Sequence, residues 1–230
     1  MNHEELCANV RLWQERIGNA SAKWGGAEIC GVSKTVAPEI INMAWDAGIR
    51  TLGENRVQEV LAKIDQLNPG FDIHLIGQLQ TNKVKAIIDK VSMIQSLDRD
   101  ALAVEISRRA VAANRVMPVL VQVNIGQEAQ KSGIDESELM PFIQRCAELP
   151  GLKIEGLMAI MPLVDDPETI RPLFRRMRNW FERLRDADMP GVDMHVLSMG
   201  MSGDCVVAAE EGATMVRLGR ALFGARPMKV

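Results

Sequence analysis

Short apolar runs alternate with segments of helical period along almost the whole chain. Eight of these runs have the length of strands. They cover residues 28–34, 50–54, 72–77, 92–97, 117–125, 152–160, 194–200 and 214–219. Because the runs are continuously apolar rather than alternating, they predict strands that are covered on both faces.

Helical segments separate nearly all of these strands. Most of them open with an acidic residue or a proline, which favour helix starts. The clearest are residues 38–47, 56–67, 100–114, 135–149 and 167–185, and an amphipathic helix precedes the first strand. Strict alternation of strands and helices implies a parallel sheet. The pattern predicts an α/β fold, a single (β/α)8 TIM-type barrel with an extra N-terminal helix, as one domain over residues 1–230.

A doubly wound sheet is the alternative architecture. It needs fewer strands, and it usually carries a GxGxxG turn after the first strand. Here the first strand leads into Ser33, Lys34 and Thr35, without that glycine pattern. The barrel is therefore the preferred interpretation.

Composition narrows the classes of partner. Of 230 residues, 47% are hydrophobic and 25% are charged, which suits one fully packed core. The net charge of -3 provides no basic field for nucleic acid or anionic lipid. The four cysteines lack CxxC spacing, and no apolar run is long enough to cross a bilayer. We therefore expect a cytoplasmic monomer with reduced thiols, whose partners are small molecules rather than nucleic acid or membrane.

Lys34 is the first candidate for chemistry, because it is predicted to end a buried strand at the carboxyl rim of the barrel. Desolvation lowers the pKa of a lysine and exposes the neutral amine that condenses with an aldehyde or ketone. The alternative is a rim lysine that buries only its stem.

Two small-residue turns follow the last two predicted strands. The first is Ser198–Asp204, ahead of a helical stretch, and the second contains Gly219. Turns of this kind offer free N–H groups to a phosphate, and barrels often bind phosphate between the loops after strands seven and eight. Alone, the first turn would be an ordinary strand-to-helix connection capped by Asp204. Together the two turns predict a phosphate site.

Arg217 lies within an apolar strand and must find a partner, since a guanidinium does not lose its proton. A ring nitrogen would serve as acceptor, and an internal ion pair with Glu54 or Glu155 is the alternative. His74 and Asn55 are expected at the same rim. Neither HxxxH nor a nearby cysteine pair accompanies the histidines, so no zinc site is predicted.

With these segments in view, the chain resembles the pyridoxal phosphate homeostasis proteins, whose barrel is similar to the N-terminal domain of alanine racemase. The resemblance runs nearly end to end through ordered motifs. They are GVSKT (31–35), GENRVQE (53–59), HLIGQLQTNK (74–83), QVNI (122–125), KSGI (131–134), GLMAI (156–160), LSMGMSGD (197–204) and MVRLGRALFG (215–224).

The resemblance implies that Lys34 forms an internal aldimine with pyridoxal 5′-phosphate (PLP) and that Arg217 faces the pyridine nitrogen. It places five residues around the phosphate, largely through backbone N–H groups: Ser198, Gly200, Ser202, Gly219 and Arg220. It places three more along the pocket: Asn55, His74 and Met158. Many relatives carry a small hydroxyl residue where this chain has Arg220, which leaves open whether that side chain faces the phosphate.

The same resemblance predicts a carrier rather than an enzyme. An arginine opposite the ring nitrogen leaves that nitrogen unprotonated and disfavours carbanion chemistry. Racemases with such an arginine add a tyrosine from a second domain, and this sequence contains no tyrosine. The expected role is to buffer PLP and pass it to PLP-dependent apo-enzymes, with Lys131 as a candidate second lysine for transfer. The alternatives are a PLP-dependent racemase that uses the barrel alone and a lysine-dependent aldolase that uses Lys34 on a sugar phosphate.

Overall fold

Eight parallel strands form a closed barrel in the computed structural model, which describes residues 1–128 and 132–224. Each strand pairs with its neighbours in chain order, and β8 pairs with β1 to close the barrel. The strands are β1 (Glu28–Val32), β2 (Thr51–Glu54), β3 (Asp72–Leu75), β4 (Met93–Leu97), β5 (Met117–Val123), β6 (Leu152–Ala159), β7 (Val192–Ser198) and β8 (Met215–Leu218). The predicted (β/α)8 barrel is confirmed.

The helices surround this barrel. They are α1 (His3–Ser21), α2 (Pro38–Asp46), α3 (Val57–Lys63), α4 (Val84–Ile87), α5 (Asp100–Ala112), α6 (Glu136–Ala147), α7 (Arg171–Asp186), α8 (Cys205–Glu210) and α9 (Arg220–Phe223). α1 is the predicted extra helix, and it packs against α2, α8 and α9. Because α9 is only four residues long, α1 adds to the helical layer next to it. Asn9 Nδ2 fixes it there by donating to the Leu222 carbonyl oxygen over 3.2 Å.

Two differences from the predicted boundaries affect the site. The first strand ends at Val32, so the prediction that Lys34 ends a strand is wrong, and Lys34 lies in the turn that follows. The physical reason is Thr35, whose φ of 62° takes the backbone out of extended geometry. The seventh strand runs over Val192–Ser198 rather than 194–200, which leaves Gly200 in the following turn.

The barrel wall separates two apolar regions. The larger one lies between the strands and the helices and includes Leu52, Phe142 and Phe174. The smaller one, Met93, Leu120 and Met158, lies in the barrel interior. Across residues 1–128 and 132–224, no helix is long and apolar enough to cross a membrane.

Candidate functional site

Lys34 is presented by a clamped turn at the carboxyl end of β1. Its side chain is half-buried. On one side, Ser33 N–H donates to the Gly53 carbonyl oxygen over 3.1 Å. On the other, Thr35 N–H donates to Glu59 Oε2 over 3.1 Å. A β-branched residue at positive φ is strained, and such strain is held only where the surroundings over-determine it. The turn therefore holds the backbone of Lys34 in one conformation.

A buried ion pair lies directly behind this turn. Lys63 Nζ is 2.5 Å from Glu54 Oε1 and donates to the Ser33 carbonyl oxygen over 2.8 Å. Ser33 Oγ donates to the same Glu54 oxygen over 2.5 Å. Burial raises the pKa of the Glu54 carboxyl, and the bonds from Lys63 and Ser33 oppose that rise. The pair thus connects β2 and α3 to the residue that precedes Lys34.

Four buried side chains form a chain of hydrogen bonds across the barrel interior, which we call the polar floor: Arg217, Ser198, Gln95 and His74. Arg217 Nη1 donates to Ser198 Oγ over 2.7 Å, and Ser198 Oγ donates to Gln95 Oε1 over 2.7 Å. Gln95 Nε2 is 2.9 Å from His74 Nδ1. A second arm of Arg217, Nη2, donates to the Ala159 carbonyl oxygen over 2.7 Å. The polar floor therefore joins β3, β4, β6, β7 and β8.

The structure excludes one of the two kinds of partner that the sequence allowed for Arg217. Within the described residues it forms no ion pair with Glu54, which pairs with Lys63, or with Glu155, which lies beside Lys153 and His195. The internal ion pair is therefore excluded. Neutral acceptors hold the guanidinium, which is only 4% exposed.

Three ionisable groups that face the barrel interior have pKa values well away from neutrality. Burial lowers the pKa of His74 to about 4. Burial raises the pKa of the Cys30 thiol to about 12, although Arg217 opposes this rise. Burial also lowers the pKa of Arg217 to about 10, against the attraction of Cys30 and Asp204. None of these three groups exchanges a proton near pH 7.

The turn after β7 is attached to both β8 and α8. The Gly200 carbonyl oxygen accepts from Arg217 N–H over 3.0 Å, and Asp204 Oδ1 accepts from Met201 N–H over 2.5 Å. Asp204 occupies the predicted N-cap position, but its side chain closes the turn instead of capping α8. In the described part of the chain, the N–H groups of Ser202 and Gly203 have no acceptor. This turn therefore offers backbone donors at the barrel rim.

The remaining predicted site residues lie around the same rim. Gly219 is buried where β8 ends, and Arg220 begins α9 with an exposed side chain. Met158 is fully buried in the interior apolar cluster. Asn55 follows β2, and its Oδ1 is buried without a hydrogen-bond partner among the described residues. Lys131 lies outside the described residues.

Sequence reasoning missed Gln95 and Lys63. Gln95 lies in a strand that is buried at every position, and an amide side chain in a buried barrel strand was the signal that could have identified it. Lys63 lies within a predicted amphipathic helix, where a lysine ordinarily faces solvent. Only its contact with Glu54 reveals its role.

The sequence is similar to those of known proteins over nearly its whole length. The family profile for the alanine racemase N-terminal domain matches residues 2–227. The pyridoxal phosphate homeostasis protein of Aquifex aeolicus is 44% identical over 225 residues, which are 96% of this chain and 98% of that protein.

Two solved structures are similar over nearly their full length. An unknown protein from Bifidobacterium adolescentis is 35% identical with a TM-score of 0.90, over 96% of this chain and 95% of that chain. PipY of Synechococcus elongatus PCC7942, solved with PLP bound, is 32% identical with a TM-score of 0.84, over 95% of this chain and 100% of that chain. The fold, the end-to-end identity and the family profile agree, and the chain belongs to the pyridoxal phosphate homeostasis protein family.

Proposed function

We propose that this protein carries PLP through a Schiff base on Lys34 and releases it to apo-enzymes, without turnover of its own. The observation that carries this proposal is the placement of a clamped lysine turn, a buried arginine and a donor-bearing turn around one barrel mouth. PLP supplies an aldehyde that condenses with a primary amine and releases water. Lys34 Nζ is the amine that we assign to this step.

The residues present fit the cofactor. The backbone donors of Ser202 and Gly203 suit a phosphate, and Gly200 lets that turn approach α8. We assign Gly219 to the same phosphate cradle, with Arg220 contributing through the start of α9. The Ser198 hydroxyl is engaged by Arg217 and Gln95, so we assign Ser198 to the cofactor site through its bond to Arg217. The orphaned Asn55 Oδ1 provides an acceptor for a donor on the ligand. Met158 and His74 complete the pocket.

The position of Arg217 supports retention of PLP over catalytic turnover of a substrate. Two of its nitrogens are held by Ser198 and the Ala159 carbonyl oxygen, so its remaining N–H donors are oriented as a unit. We assign these donors to the ring nitrogen of PLP. A guanidinium donates a hydrogen bond there without giving up its proton, which weakens the ring as an electron sink. Among the described residues, His74 is a weak base with a pKa of about 4, and the Cys30 thiol stays protonated with a pKa of about 12.

The proposed function predicts loading without amino-acid chemistry. In deuterated buffer, the PLP-loaded protein is expected to leave the Cα protons of alanine and other amino acids unexchanged, while PLP passes to an added apo-aminotransferase. NMR of the amino acids measures the exchange of their Cα protons, and the recovered activity of the aminotransferase measures the transfer of PLP. Sustained Cα exchange that disappears in Lys34→Ala would establish the racemase alternative instead.

Two glycines, one in the turn after β7 and one on α1, provide a matched pair of variants. Gly200 has a φ of 92°, and an added Cβ would lie 2.5 Å from Ala208 Cβ. Gly18 lies on α1, away from the site, and an added Cβ there also meets nothing within 4 Å. Strain of about 1–3 kcal/mol at Gly200→Ala is expected to displace the turn and weaken PLP binding by about tenfold or more. Gly18→Ala is expected to bind like the unaltered protein in the same absorbance titration, and equal affinities for both variants would contradict the assignment of the turn after β7 to the phosphate.

A further inference from the structure

In each hydrogen bond of the polar floor, the donor and the acceptor are fixed, so the bonds all run in one direction. A guanidinium contains donors only, so Ser198 Oγ must accept from Arg217. The hydroxyl proton of Ser198 is then available for the Gln95 carbonyl oxygen. The opposite orientation of the Gln95 amide would place its NH₂ group against Ser198 and leave the hydroxyl proton between two donors. Satisfaction of every bond therefore requires Gln95 to accept from Ser198 and to donate to His74.

This direction determines the protonation state of His74. Its Nδ1 must carry a lone pair to accept from Gln95 Nε2, so the ring is neutral and its proton lies on Nε2. The imidazole cannot take a second proton unless Gln95 and Ser198 reverse their bonds. Burial of the ring, which is 7% exposed, also disfavours its charged form.

The other nitrogen of His74 faces no acceptor. Nε2 has no hydrogen-bond partner in the part of the chain that the structure describes, yet it is not among the fully enclosed polar atoms. His74 pairs with Gly53 in the β2–β3 ladder, and Gly53 lies in β2 two residues before Asn55. Its Nε2–H is therefore accessible at the site.

We propose that Gln95 is a positioning residue, which fixes His74 as a neutral Nε2–H donor for an oxygen acceptor on the bound ligand. One end of the polar floor is a permanent cation and the other is a neutral donor, so both ends donate and neither gives up a proton at neutral pH. The assignment of the ligand as PLP, whose ring oxygen belongs to this acceptor class, rests on the proposed function. The donor and acceptor roles within the polar floor do not rest on the proposed function.

Gln95→Glu tests the direction because the new carboxylate has acceptors only. One of its oxygens still accepts from Ser198, and the other now requires a proton on His74 Nδ1. The side-chain titration of His74 is expected to move from about 4 to above the ordinary histidine value of about 6.5. Gln95→Met removes the bond without adding a charge, and it is expected to leave a mixture of the two neutral tautomers.

Long-range ¹H–¹⁵N NMR on the cofactor-free protein measures both quantities. The chain contains three histidines, so His3→Gln and His195→Gln variants assign the His74 signals. In the unaltered protein we expect Nδ1 unprotonated and Nε2 protonated, unchanged from pH 5.5 to pH 8. A protonated Nδ1 there, or a titration near the ordinary value, would overturn the proposal even if neither Gln95 variant folds.

The same samples separate this inference from the proposed function. PLP binding is measured afterwards by absorbance on the unaltered protein. If His74 has the expected tautomer but no PLP attaches, the proposed function fails while the role of Gln95 stands. If PLP attaches to a protein whose His74 carries its proton on Nδ1, the role of Gln95 is wrong while the proposed function stands.

Discussion

Lys34→Ala is expected to abolish covalent attachment of PLP completely. The variant removes the only amine in the clamped turn that we assign to the Schiff base, while the turn itself is held by the backbone of Ser33 and Thr35. Equilibration with PLP followed by dialysis should leave the variant colourless, whereas the unaltered protein keeps the visible absorbance of a Schiff base. Weak binding through the phosphate cradle is expected to remain and to be lost on dialysis.

A second lysine provides the control for this result. Lys85 is exposed on α4, so Lys85→Ala removes an amine without touching the site. It is expected to keep the full absorbance. Retention of colour by Lys34→Ala, or equal loss of colour in both variants, would show that PLP attaches elsewhere or to surface amines in general.

Lys63→Met is expected to cause the largest loss of stability. It leaves Glu54, which is 1% exposed, without its counter-charge. Breaking a buried pair in this way costs about 3–5 kcal/mol, measured as the free energy of unfolding in urea. PLP loading should fall as well, because the Ser33 carbonyl oxygen loses the donor that positions the residue before Lys34.

Removal of the charge on Glu54 should rescue most of that loss. In Glu54→Gln/Lys63→Met the amide oxygen still accepts from Ser33, and no buried charge remains. The double variant is therefore expected to be clearly more stable than Lys63→Met alone. If the two unfold at the same urea concentration, the ion pair does not hold this part of the barrel together.

The deficit of Lys63→Met should also depend on pH. Burial already raises the pKa of Glu54, and loss of Lys63 removes an opposing influence. A carboxyl whose folded-state pKa is raised costs stability as the pH climbs above its unfolded pKa of about 4.3. The difference from the unaltered protein should be larger at pH 8 than at pH 5, and the reverse order would contradict a buried, unpaired carboxylate as the cause.

The barrel was predictable because its signal is local. A continuous apolar run such as 117–125 records burial on both faces, and the alternation with helical period implies parallel strands. The sites of the two rim turns were predictable for the same reason, since glycine, serine and aspartate mark turns within a few residues. The short helices α4 and α9 are too brief to show a helical period.

The details of the site depend on contacts between distant strands. Thr35 at positive φ contradicts its own conformational preference, so the turn that carries Lys34 could not be predicted from propensity. Gln95 and Ser198 are more than a hundred residues apart, yet they form one hydrogen bond. The Glu54 alternative for Arg217 failed because Glu54 pairs with Lys63, on a helix whose packing the local pattern does not specify.

The central claim is that one particular amine, in the turn after β1, holds the cofactor. Borohydride reduction of the PLP-equilibrated, unaltered protein makes that link permanent, and intact mass followed by peptide mapping locates it. We expect a single pyridoxyl group per chain, on the peptide that contains Lys34 and on that residue. An unmodified mass, or a pyridoxyl group on Lys63 or any other lysine, would contradict the account.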